Sequence, residues 1–219
     1  DIYVQAVDSD PLKRLLPQLE AREHLTLATP LSGDQAGESR MVQRDDLRAP
    51  TIESEDDTET FYNPLLPPPT LVMVGGVHIA VALAKLAKTL GYRTVVVDPR
   101  KVFGNRERFP QVDDLVQTYP AAAFDANPLD ANTALASLSH DPKIDDPAIE
   151  AALNSDAFYI GALGSSGTQQ RRLERLRTAG YNEEQLARIH GPIGLEIGAQ
   201  SPEEIALAIM AEVVAAYHA

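Results

Sequence analysis

Residues 71–98 carry the feature that most limits what this chain can fold into. An unbroken apolar run, Leu71-Val72-Met73-Val74, stops at Gly75-Gly76, passes into a helical pattern over 78–90 and resumes as Thr94-Val95-Val96-Val97-Asp98. Apolar runs without alternation read as strands buried on both faces. Strand–helix–strand repeats of this length pair in parallel through a crossover. The rhythm continues with Thr133–Leu138, a helix over 146–153, Ala157–Leu163, a helix over 168–178, a short helix over 183–189 and a last helix over 202–216. The pattern predicts an α/β fold with a parallel sheet and helices on both faces. The last helix has its own start signal, with Ser201 as N-cap, Pro202 at the first position and Glu204 three residues after the cap. Ile205, Ile209 and Val213 then form one apolar stripe.

Residues 1–66 have another pattern. Ile2–Val7 is a short β-type run, Asp10-Pro11 opens a helix to about Arg22, and His24–Thr29 alternates like a half-buried strand. The polar stretch from Ser32 to Thr58 reads as hairpin loops, its acidic run Glu53–Asp57 as a solvated loop, and Thr60–Asn63 as a final edge strand. Pro64, Pro67, Pro68 and Pro69 stiffen the connection to the next segment. The 219 residues thus divide into a partial N-terminal α+β domain at 1–66 and a second domain at 67–219. The start without a polar lead-in suggests the end of a larger N-terminal domain.

Composition removes several function classes. A net charge of −13 repels phosphodiester backbones and anionic lipid, so neither nucleic acid nor a membrane surface is expected as a partner. No apolar run is long enough to span a bilayer and the N-terminus has no signal-peptide pattern, so a cytoplasmic location is expected. The absence of cysteine excludes disulfides, thiolate nucleophiles and the common structural zinc sites.

The chemistry is expected in the loops that end the strands. Gly75-Gly76-Val77-His78 joins a strand to a helix, the setting in which backbone N–H groups meet a phosphate. Measured on G-x-G-x-x-[GA], Gly75 and Ala80 fit and Val77 does not, and a side chain at 77 would crowd a pyrophosphate. Asp98 lies 23 residues after Gly75, near the ~20 expected of an acid that binds ribose hydroxyls. Arg100 could meet a phosphate instead. His140 and Asp141 offer an imidazole beside a carboxylate, a weak candidate for acid–base work; the alternative is a turn, with Asp146 capping the next helix ahead of Pro147. Gly164 and Ser165 lie in a second glycine loop, which can hold an anion or simply turn into a helix capped by Thr168. Arg171, Arg172, Arg175 and Arg177 read as a mostly solvated basic face. A third loop, His190–Gly198, is tightly shaped by three glycines and a proline. No metal site is assigned, because the histidines are far apart in sequence.

Five stretches together resemble the xanthine dehydrogenase accessory factor family (XdhC/CoxI): LLPPPTLVMVGGVHIAVALAKLAKTLGYRTVVVDPR, FGNRERFP, SHDPKIDDPAIEAAL, YIGALGSSGTQQRRLERLRTAG and RIHGPIGLEIGAQSPEEIALAIMAEV. They occur in order from Leu65 to Val214. The resemblance implies a Rossmann-like domain in a protein that binds molybdenum cofactor and delivers it to a molybdenum hydroxylase apoenzyme of the xanthine dehydrogenase or carbon monoxide dehydrogenase type. It also implies a cysteine desulfurase as partner and a possible homodimer. On that reading Gly75, Gly76, His78, Asp98, Arg100, His140, Asp141, Gly164 and Ser165 surround the cofactor. The family reads G-A-G-H where this chain has Gly75-Gly76-Val77-His78, and it carries cysteine in a portion expected to be missing here.

Two other functions stay open. One is an NAD(P)-dependent oxidoreductase using Asp98 for ribose and His140 for proton transfer. The other is an interaction module with a degenerate site.

Overall fold

The computed structural model describes residues 9–21, 23–44, 46–55 and 58–219, with the side chains at 9–12, 14 and 20 outside that description. The strand expected at Ile2–Val7 and the capping side chain of Asp10 therefore lie outside the described residues. The chain divides into two compact units, Asp1–Pro67 and Pro68–Ala219.

In the first unit, helix α1 (Ser9–Glu20) precedes four antiparallel strands: β1 (Leu25–Pro30), β2 (Arg40–Val42), β3 (Thr51–Glu55) and β4 (Thr58–Leu65), ordered β2-β1-β4-β3. Two expectations are corrected here. Glu53–Glu55 of the acidic run are not loop but the outer strand β3, whose charges are tolerated because an edge strand is solvated on its open side. Arg44 answers part of that charge, donating to Glu53 and Asp46, each at 2.9 Å from Nη2. The strand expected at the edge, β4, is instead central, between β1 and β3.

The second unit is a six-stranded, all-parallel sheet. Its strands are β5 (Thr70–Val74), β6 (Arg93–Val97), β7 (Asp114–Val116), β8 (Thr133–Ser137), β9 (Tyr159–Ala162) and β10 (Ile189–His190). The spatial order β7-β6-β5-β8-β9-β10 is the 3-2-1-4-5-6 order of a Rossmann fold, and it reverses direction between β5 and β8. Five helices lie between the strands, α2 (His78–Thr89), α3 (Pro120–Ala126), α4 (Pro142–Leu153), α5 (Ser166–Thr178) and α6 (Glu183–Ala187), and α7 (Pro202–Tyr217) follows the last strand.

Strand pleat distributes the core to two faces. Leu71 and Met73 of β5 point to the layer formed with Leu83 of α2 and Ile209 and Val213 of α7. Val72 and Val74 point the other way, to Phe124, Ile149, Leu176 and Leu186 of α3 to α6. Burial on both faces is why β5 and β8 contain no alternation. The capping box at Ser201 and Glu204 forms as the sequence predicts. Two caps are corrected: α4 begins at Pro142 under Asp141, not Asp146, and α5 begins at Ser166 under Ser165, not Thr168. Among the described residues no helix is long and apolar enough to cross a membrane.

Candidate functional site

The first glycine loop lies at the point where the strand order reverses, the place where ligands bind in open α/β sheets. Gly75 has φ +102, and a Cβ there would stand 2.8 Å from the backbone N and Cα of Ser139, at the end of β8. A Cβ on Gly76 would stand 2.5 Å from the carbonyl oxygen of Phe103. The loop is thus gripped between two others and accepts no side chain at either position.

Asp98, fully buried, sets the loop's height. Its carboxylate accepts the Gly76 N–H at 2.8 Å, the Arg100 N–H at 2.9 Å and the Arg100 guanidinium from Nε and Nη2 at 2.9 and 2.8 Å. Burial alone would push its pKa up, but hydrogen bonds from Arg100 and from the Gly76 and Arg100 backbone hold it below the ordinary carboxylate value. Both oxygens expected to meet a ribose are thus engaged within the fold, by Gly76 and Arg100. Arg100 stacks over Phe103 at 4.4 Å and is pushed up by its hydrogen bonds to Asp98 and by the charges of Asp98, Asp141 and Asp145, against the opposing effect of burial. Arg108 donates from Nη2 to the Gly76 carbonyl at 3.1 Å.

Val77 is the N-cap of α2, with extended backbone and no side-chain cap, and the first turn holds no acidic residue. Its side chain packs against the core layer formed with α7, so it does not crowd the front of the loop as the sequence suggested. The first-turn N–H groups of α2 therefore remain available to an anion. His78 begins the helix and is exposed.

The other strand ends are arranged differently. Ser139 is held by buried Asp145, whose Oδ1 accepts from Ser139 Oγ and Ser137 Oγ, each at 2.7 Å. His140 is exposed, at φ +62. Asp141 turns away to cap α4, accepting the Lys143 N–H at 3.0 Å, so the two do not form the acid–base pair the sequence allowed. Gly164 has φ +143, and Ser165 accepts the Thr168 N–H at 3.2 Å, which closes the start of α5 on itself. Of the arginine face expected to be mostly solvated, Arg171, Arg175 and Arg177 are exposed and Arg172 is the exception. Arg172 is 2% exposed and donates to the Leu163 carbonyl at 2.9 Å, Arg175 pairs with Asp146, and Arg177 pairs with Glu183. In the third loop His190 Nδ1 lies 3.3 Å from Glu212, which also accepts from Tyr159 Oη and the Gly194 N–H.

The profile of the XdhC Rossmann domain matches residues 71–213. The chain belongs to the XdhC family. It is 35% identical over 150 residues to the uncharacterized protein YqeB of Escherichia coli K12, covering 67% of this chain and 27% of that protein. It is 28% identical over 160 residues to a probable xanthine dehydrogenase subunit of Bacillus subtilis 168, covering 73% and 46%. It is 31% identical over 143 residues to the molybdenum cofactor insertion chaperone PaoD of E. coli K12, covering 65% and 38%. The chain thus spans from about a quarter to a half of the length of these relatives. A crystal structure described as a xanthine dehydrogenase from Bacillus halodurans superposes with a TM-score of 0.76 at 23% identity, over 95% of this chain and 64% of that one, which shows the shared fold.

The matched XdhC segment contains all nine of the residues expected to surround a ligand. The structure joins Gly76, Asp98 and Arg100 into one hydrogen-bonded cluster, with Gly75 just before it in the loop and His78 opening the helix beside it. His140, Asp141, Gly164 and Ser165 stand at neighbouring strand ends. Three contributors escaped the sequence reading: Asp145, which fixes Ser139 against Gly75, and Phe103 and Arg108, which grip Gly76. Only the FGNRERFP stretch signalled the last two.

Proposed function

We propose that this domain holds molybdenum cofactor as cargo in an accessory factor that delivers it to a molybdenum hydroxylase apoenzyme of the xanthine dehydrogenase or carbon monoxide dehydrogenase type. The observation that carries this reading is the open N-terminus of α2, uncapped at Val77 and set above a carboxylate already neutralised by Arg100. The cofactor is a pterin with a terminal phosphate, and this donor set suits that end. First-turn N–H groups supply donors, and Arg108 places a cation beside the Gly76 carbonyl. The names of two relatives, one a cofactor insertion chaperone and the other a probable component of xanthine dehydrogenase, support the same reading. The molybdenum does its chemistry in the client, so the carrier needs to hold, orient and release. A cysteine desulfurase and a second copy of the chain complete the set of proposed partners.

The oxidoreductase reading needs a free carboxylate for ribose, and Asp98 has none to offer. The test is retention. Full-length protein purified from cells that make the cofactor should carry pterin, measured by fluorescence after oxidation, and added cofactor should raise its melting temperature. No retained pterin and no thermal shift would overturn the proposal. Saturable NAD(H) binding that weakens on Asp98→Asn would favour the oxidoreductase instead.

A further inference from the structure

A concave surface lies along α2, next to the first glycine loop. Helix α2 has two working faces. Ala80, Leu83, Ala84 and Ala87 are buried against the sheet and α7. His78, Val81, Ala82, Lys85 and Leu86, at spacings i, i+3, i+4, i+7 and i+8, line a cavity of about 580 Å³, together with Arg108 and with Pro202, Glu203 and Leu207 of α7. That volume lies within the range of small-molecule sites. Its floor is apolar: Val81, Ala82 and Leu86 are half-buried, and Leu207 is 53% exposed.

The charge of its rim runs against the composition of the chain. The sequence holds 32 acidic and 19 basic residues, yet the cavity has two cations, Lys85 and Arg108, and the imidazole of His78 against the single carboxylate of Glu203. Arg108 Nε is buried without a hydrogen-bond partner, and the guanidinium makes no ion pair among the described residues. Lys85 likewise has no acidic partner among them, whereas Lys88, one turn on, is paired with Asp113. Apolar floor and cationic rim together select for an occupant with a flat apolar body and an anionic group.

We propose that the groove between α2 and α7 binds a small organic anion, an aryl or heteroaryl carboxylate, sulfonate or phosphate, with its ring on Val81, Leu86 and Leu207 and its charge toward Lys85 and Arg108. This site goes beyond the cargo reading and shares Arg108 and His78 with it, so its test rests on Lys85 and Leu207, which the cargo reading does not use. The probe is 8-anilinonaphthalene-1-sulfonate, titrated by fluorescence into the full chain at low salt, with neutral N-phenyl-1-naphthylamine as its uncharged counterpart. The sulfonate should bind saturably at one site and more tightly than the neutral compound. Lys85→Glu and Leu207→Glu should each weaken it about tenfold or more. Leu195→Glu alters another exposed leucine outside the groove and should leave binding unchanged. Circular dichroism checks that each variant is folded, and the exposed Lys85 serves if Leu207→Glu is not. Several equivalent sites, indifference to both groove substitutions, or an equal loss in Leu195→Glu would overturn the proposal. The two proposals fail separately. Groove variants that bind no sulfonate yet retain pterin would leave the cargo reading intact. A wild-type protein that retains no pterin but shows the sulfonate pattern would leave the groove standing.

Discussion

The two glycine loops after β5 and β9 look alike in sequence and end in opposite states. Both carry glycine at positive φ and both open a helix. After β9, the hydroxyl of Ser165 turns back onto the Thr168 N–H, so α5 satisfies its own first turn. After β5, the cap position holds valine, which has nothing to offer α2, and the nearby acid, Asp98, is spent on Gly76 and Arg100 from below. An exposed helix start without an internal acceptor leaves its first-turn N–H groups to water or to an external anion. Strand-to-helix glycine loops are therefore distinguished by their caps more than by their glycines.

The largest expected effect is at Gly75. Alanine there adds a Cβ 2.8 Å from the Ser139 backbone and requires φ +102 of a residue that resists it. Gly75→Ala should cost about 3 kcal/mol or more, read as a lower urea midpoint for the second unit. A shift of less than roughly 0.5 kcal/mol would mean that the grip between the β5 and β8 loops is loose.

Asp98→Asn comes next. It leaves Gly76 an acceptor but removes the charge facing Arg100, and should cost about 2–3 kcal/mol at neutral pH. Because folding lowers the Asp98 pKa from its ordinary 3.8, the stabilisation is in place above that value and is lost as pH falls below it. The gap between wild type and Asp98→Asn should narrow in acid. A gap independent of pH from 7 to 3 would assign the loss to packing.

Substitution at the caps inverts the comparison. Val77→Asp gives α2 an internal acceptor and a negative charge at the open end, so affinity for a phosphate-bearing ligand should fall about tenfold or more while the melting temperature changes little. Ser165→Ala should do the reverse, with about 1 kcal/mol of stability lost and binding kept. Equal binding losses in both would merge the two loops into one site.

How much of this was legible depends on how far each contact lies along the chain. Strands buried on both faces announce themselves as unbroken apolar runs, and the Ser201–Glu204 box is written within four residues, so both were readable. Strands β7 and β10 have three and two residues, too few for any period to show. The acidic run hid β3 because an edge strand need not be apolar. Arg172 shares the buried face of α5 with Gln169 and Leu176, a spacing that could have separated it from Arg171 and Arg175. The double use of Asp98 was out of reach, since a loop N–H 22 residues earlier takes one of its oxygens and nothing local records that.

The smallest effect sits at Gly167, and its sign is informative. A Cβ there meets only Ser165 Oγ at 3.9 Å and Arg171 Nη1 at 4.0 Å, with no positive φ to relieve. Within the first turn of α5, Gly167→Ala should raise stability by about 0.5 kcal/mol, because alanine loses less backbone freedom on folding. If the loop after β9 also cradled a phosphate by close backbone approach, the added methyl would stand in the way and weaken binding. Unchanged affinity beside slightly higher stability would keep the second loop as a closed turn, with Ser165 in the place proposed for an anion at α2.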